Sequence, residues 1–80
     1  QKEFNRRLRK IEREIKECED KIEKLETKKE EIELVLATPE GASDVSLYEK
    51  YENNKQNINE VMAQWEVLLM EHEELEAQKY

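Results

Sequence analysis

Six cations crowd residues 6–16: Arg6, Arg7, Arg9, Lys10, Arg13 and Lys16. Side chains three and four residues apart share one side of a helix, and a row of cations on such a helix can neutralise successive phosphates of DNA or ribosomal RNA. The competing reading is an ordinary solvated face, its charges met locally by pairs such as Arg13–Glu17 and Lys16–Asp20. Other reactive residues are sparse. The chain holds one cysteine, Cys18, and one histidine, His72. A single thiol forbids an internal disulfide, and one Cys with one His falls short of a zinc ligand set. No nucleophile elbow, Gly-rich phosphate loop or metal motif appears. The sequence therefore predicts no catalytic, cofactor-binding or metal-ligating residues, and no enzyme activity in this chain.

The elements that carry these side chains follow from composition and periodicity. Of the 80 residues, 44% are charged, and there is one Gly and one Pro. Gly and Pro punctuate turns, so about one break between elements is expected. That excludes sandwiches, barrels and βαβ units, which need many turns, and leaves long helices. Net charge is −7, but it is unevenly placed. Residues 1–30 carry eleven basic and nine acidic side chains; residues 31–80 carry three and twelve. No apolar run exceeds four residues, as in Val67-Leu68-Leu69-Met70, too short to span a bilayer. No signal-peptide pattern is present, and the chain starts without Met, as an excised fragment would. A lone cysteine fits a reducing, cytoplasmic setting.

Apolar residues recur at Phe4, Leu8, Ile11, Ile15, Cys18, Ile22, Leu25, Ile32 and Leu36, with Lys29 in the one gap. A second series runs Leu47, Tyr51, Asn54, Ile58, Val61, Trp65, Leu68, His72, Leu75 and Lys79. Alternating steps of four and three are the seam of a coiled coil. Between the series lie Pro39, which cannot continue the first helix, and Gly41, which permits a change of direction. Ser46 with Glu49 reads as a capping box, and Ser43 or Asp44 could cap one turn earlier. If the chain folds back after residue 41, seam residues whose numbers sum to about 83 face each other. Ile32 then meets Tyr51, Cys18 meets Trp65, and Ile11 meets His72. The expected fold is all-α, a single two-helix antiparallel coiled-coil hairpin over residues 1–80. Helix 1 is expected over about 2–37, the loop over about 38–45, and helix 2 over about 46–78.

Within that register Lys29 faces Asn54, a polar layer of the kind that sets pairing at some cost in stability. Flanking pairs Arg7–Glu71 and Glu26–Lys55 are expected to set orientation. On the outside of helix 2, Ala63, Val67 and Met70 follow at helical spacing, with Met62 and Leu69 at the flank. Exposed apolar surface of this extent usually marks a contact. Either the rest of a larger protein or a second hairpin is expected there, so self-association stays open.

The order of features resembles a known family. Ile22-Glu23-Lys24-Leu25-Glu26 leads to Leu36-Ala37-Thr38-Pro39-Glu40-Gly41, then Leu47-Tyr48, then Trp65-Glu66-Val67-Leu68. With the leading stretch Phe4-Asn5-Arg6-Arg7-Leu8-Arg9-Lys10-Ile11-Glu12, this is similar to the C-terminal coiled-coil domain of ABC-F proteins. Those are duplicated ATP-binding-cassette ATPases without membrane segments. The resemblance implies a parent ATPase acting on the ribosome or in nucleic-acid maintenance, with ATP and Mg held in cassettes outside this fragment. It implies as partners the cassettes of the same chain and DNA or ribosomal RNA, met by Arg6, Arg7, Arg9, Lys10 and Arg13. The expected function is thus a non-catalytic accessory module contacting nucleic acid. The alternative is a purely structural or protein-interaction coiled coil, a spacer or dimerisation element. The strongly acidic second helix departs from a hairpin specialised for DNA.

Overall fold

The computed structural model describes residues 1–78. Its elements are α1 (Lys2–Leu36), α2 (Pro39–Ala42) and α3 (Val45–Ala77), and no strand occurs among the described residues. The protein is all-α. Helix α1 has 35 residues and α3 has 33, close to 50 Å each at about 1.5 Å per residue. The molecule measures 59 × 15 × 14 Å, so it is one pair of helices wide for most of its length.

The two long helices pack on each other and run in opposite directions, because contact positions rise along α1 as they fall along α3. Three side-chain bonds set this register. The Tyr51 hydroxyl donates to Glu33 Oε2 at 2.8 Å, Trp65 Nε1 donates to Glu19 Oε2 at 3.1 Å, and His72 Nε2 lies 3.1 Å from Glu12 Oε2. Each ring occupies a seam position, and each carboxylate belongs to the residue just after the ring's expected facing residue on α1. The three glutamates thus form a ladder along one edge of α1. Glu26 would be its fourth rung, but it falls beside the layer of Ile58, which has no polar tip to offer.

Burial follows the 4-3 series. Ile11, Cys18, Ile32, Ile58 and Leu75 are buried, as is Asn54, and the remaining seam residues through His72 are half-buried. Lys79 and its expected pairing with Phe4 lie outside the described residues. Asn54 Oδ1 is buried without a hydrogen-bond partner, and Lys29 is half-buried across from it. That layer therefore costs stability, as an unsatisfied buried carbonyl does.

The connection differs from a simple loop. Thr38 caps the single turn of α2: its Oγ1 accepts from Gly41 N at 3.0 Å and donates to the Val35 carbonyl at 2.6 Å. Pro39 sits in the first turn of that helix, where its missing N–H is harmless. Gly41 does not supply a left-handed turn, since no glycine has positive φ. A Cβ at residue 41 would instead overlap the Val35 carbonyl, so Gly is required by close approach. Helix α3 starts at Val45 rather than Ser46 because Asp44 is the cap. Its Oδ1 accepts from Ser46 N at 3.0 Å, Leu47 N at 3.3 Å and the Ser46 hydroxyl at 2.8 Å. Ser46 is spent on Asp44, and the Ser46–Glu49 box does not form. The Ser46 hydroxyl, with the two backbone donors, holds the Asp44 carboxyl below its ordinary value of 3.8.

Candidate nucleic-acid interface

The first four turns of α1 place the basic side chains. Seam residues Phe4, Leu8, Ile11 and Ile15 turn toward α3, which leaves the residues between them in water. Arg6, Arg7, Arg9, Lys10, Arg13 and Lys16 are all exposed. Four of them, Arg6, Arg9, Lys10 and Arg13, line one shallow recess of ≈ 540 Å³ together with Lys2 and Asn5. Arg7 and Lys16 lie outside it. The recess therefore holds five cations and one amide and no carboxylate. Lys2 and Asn5 were not among the expected contacts, although their spacing from Arg6, Arg9 and Arg13 continues the same stripe one turn toward the N-terminus.

None of the six expected cations makes an ion pair within 4.0 Å among the described residues. The pairs Arg13–Glu17, Lys16–Asp20 and Arg7–Glu71 do not form. Nor does Glu26–Lys55: the Lys55 ammonium lies 3.2 Å from Glu52 and 4.8 Å above the Tyr51 ring. That ring is fixed by Glu33, so cation–π attraction and a same-helix carboxylate draw Lys55 along α3 rather than across to α1. The bond to Glu33 also raises the Tyr51 phenol above its ordinary 10.0.

The apolar side chains of α3 divide between two flanks. Ala63 and Val67 line a groove of ≈ 580 Å³ beside Cys18 and Leu68, with Glu14, Glu17 and Glu60 on its rim. Met62 and Leu69 lie on the other flank and Met70 between, all three exposed. The expected single sector is therefore a band around α3. A second exposed apolar group was not foreseen: Leu34, Val35, Val45 and Tyr48 at the loop end. Leu34 and Val45 are off-seam residues on separate helices, and only the turn brings their helix ends together.

Cys18 is buried. Glu12, His72 and Glu76 were not grouped by the sequence reading, yet one ligand atom from each lies within 4.8 Å of the other two. The i,i+4 spacing of His72 and Glu76 was visible; the contribution of Glu12 required the register between helices.

Comparison with known families matches the chain to the ABC transporter C-terminal domain over residues 6–77. The chain belongs to this family. The match covers α1 from Arg6 onward, all of α2 and all of α3, so it includes the packed pair and most of the basic recess. The molecule is thus a C-terminal domain of an ABC transporter-type protein, and its place is that of an accessory module of an ABC protein. No curated protein and no solved structure matches the chain. No helix among the described residues of this ABC C-terminal domain is long and apolar enough to cross a membrane.

Proposed function

We propose that this domain is an antiparallel coiled-coil hairpin serving a cytoplasmic ATPase of the ABC-F type, and that it contacts DNA or ribosomal RNA through α1. It performs no catalysis itself; ATP and Mg belong to the cassettes of the parent chain. The observation that carries the reading is the recess of Lys2, Asn5, Arg6, Arg9, Lys10 and Arg13, in which no acid offsets the cations. Unpaired cations on an overall acidic chain repel each other, and a polyanion relieves that repulsion while releasing its own counterions. Five cations along residues 2–13 span about 16 Å of helix axis, enough to follow several phosphates of one strand. Arg side chains offer paired donors to phosphate oxygens, and Asn5 adds an uncharged donor. The acidic α3 faces away from the contact and disfavours a second strand wrapping around the pair.

Labelled duplex DNA, single-stranded DNA and ribosomal RNA, each titrated with the chain at low salt, test this reading. Binding by wild type and its loss in the R6Q/R9Q/K10Q/R13Q variant is the expected result. Equal binding by both proteins contradicts it. A second reading, a protein-interaction element, is favoured by Val67 at 55% and Met70 at 63% exposure. It gains if no nucleic acid binds and wild type self-associates while V67E/M70E sediments as a monomer.

A further inference from the structure

We propose that Glu12, His72 and Glu76 form a binding site for a divalent first-row transition ion, of which zinc is the representative, and that the ion staples α1 to α3. His72 Nε2 is 3.1 Å from Glu12 Oε2 and 3.7 Å from Glu76 Oε1. Ligand atoms about 2.0–2.1 Å from one ion lie roughly 2.9–3.4 Å apart at tetrahedral or octahedral angles. Two edges of the triangle are thus already near the size an ion demands. The third closes by rotating carboxylates whose side chains are 52% and 42% exposed, a small rearrangement in water.

The packing makes this more than three neighbouring side chains. His72 occupies a seam position, and its side chain is only 27% exposed, so its ring is held while Nε2 stays at the edge of the interface. Glu76 stands one turn further along the same helix, and Glu12 comes from the opposite helix beside buried Ile11. One imidazole and two carboxylates suit zinc-class ions better than magnesium or calcium, which take oxygen alone. Three protein ligands leave coordination positions for water, the arrangement of an open site. Two carboxylates at close range repel each other, and a dication between them removes that repulsion. Because Glu12 lies within the stretch of α1 that bears Arg9 and Arg13, the ion also fixes the segment carrying the basic recess.

The test is thermal unfolding, followed by circular dichroism, of the 80-residue chain in a Cys18→Ala background that removes its one thiol. Zinc chloride is the probe and magnesium chloride the control. At zinc a hundredfold above its dissociation constant, the midpoint should rise by roughly 10–20 °C, and magnesium should leave it unchanged. His72→Gln, Glu12→Gln and Glu76→Gln should each lose most of that rise while keeping their zinc-free helicity. The ring proton resonances of His72, unambiguous in a chain with one histidine, should shift with zinc. No rise in wild type overturns the proposal. So does an equal rise in all four proteins, which marks diffuse binding to the acidic surface. A full rise in Glu12→Gln overturns the staple, since the ion would then sit on α3 alone.

Discussion

At the loop end, α1, α2 and α3 are joined by short-range bonds that leave few polar groups unmet. The Val35 carbonyl takes the Thr38 hydroxyl and the Thr38 amide, Gly41 presses against it, and Asp44 collects three donors. At the open end the helices are held by burial of Ile11 and Leu75 and by the long-range Glu12–His72 contact, and five cations there have no carboxylate in their recess. In the first region Thr38, Pro39, Gly41, Asp44 and Ser46 each answer to a backbone need. The second spends charge on nothing within the chain. The cations on residues 2–13 of α1 serve no contact within the chain, and they are the charges to assign to a partner.

That contrast predicts where substitutions hurt stability. The largest effect is expected for Gly41→Ala, whose methyl has no space beside the Val35 carbonyl. Overpacking against backbone should cost about 2–3 kcal/mol, read as a lower denaturation midpoint, and a neutral result would show that the connection relaxes freely. Next is Asp44→Ala, which leaves the Ser46 and Leu47 amides uncapped and should lower the thermal midpoint by about 5 °C. Asp44 also sets an acid limb. Its folded pKa lies below 3.8, so its contribution is present above that value and is lost as pH falls through the lower, folded one. Helicity at the start of α3 should decline in that window, and Asp44→Asn, which caps without titrating, should remove the decline.

Smaller still, Trp65→Phe keeps the ring but gives up the bond to Glu19, and should cost about 0.5–1 kcal/mol. The least effect is expected at the open end. The R6Q/R9Q/K10Q/R13Q variant should change stability by less than about 0.5 kcal/mol. A loss of 2 kcal/mol or more would mean that these cations serve the fold, and the contrast between the two ends would fail.

Much of the fold was legible in the sequence because a 4-3 repeat needs only apolar type and spacing. Every residue of the series from Phe4 to Leu36 and from Leu47 to Leu75 is buried or half-buried in the structure. What stayed hidden depended on choices among equivalent residues. Glu12, Glu19 and Glu33 are three of many glutamates, and their roles appear only once a ring on α3 arrives beside each. Lys55 had both Glu26 and Glu52 within reach on paper, and the Tyr51 ring decided between them. Gly41 was read through its φ freedom, the commoner reason for a glycine, when its requirement is space. The basic stripe was visible as a charge run. Its narrowing to Lys2, Asn5, Arg6, Arg9, Lys10 and Arg13 needed the direction of each side chain around α1.

The most direct test of the nucleic-acid reading is the salt dependence of binding to labelled duplex DNA. Each phosphate neutralised contributes about −0.9 to the slope of log affinity against log salt, so five cations predict a slope near −4.5. The R6Q/R9Q/K10Q/R13Q variant, left with Lys2 in the recess, should fall to about −0.9. A slope that is the same in both proteins, or no binding by wild type even at low salt, would contradict the account.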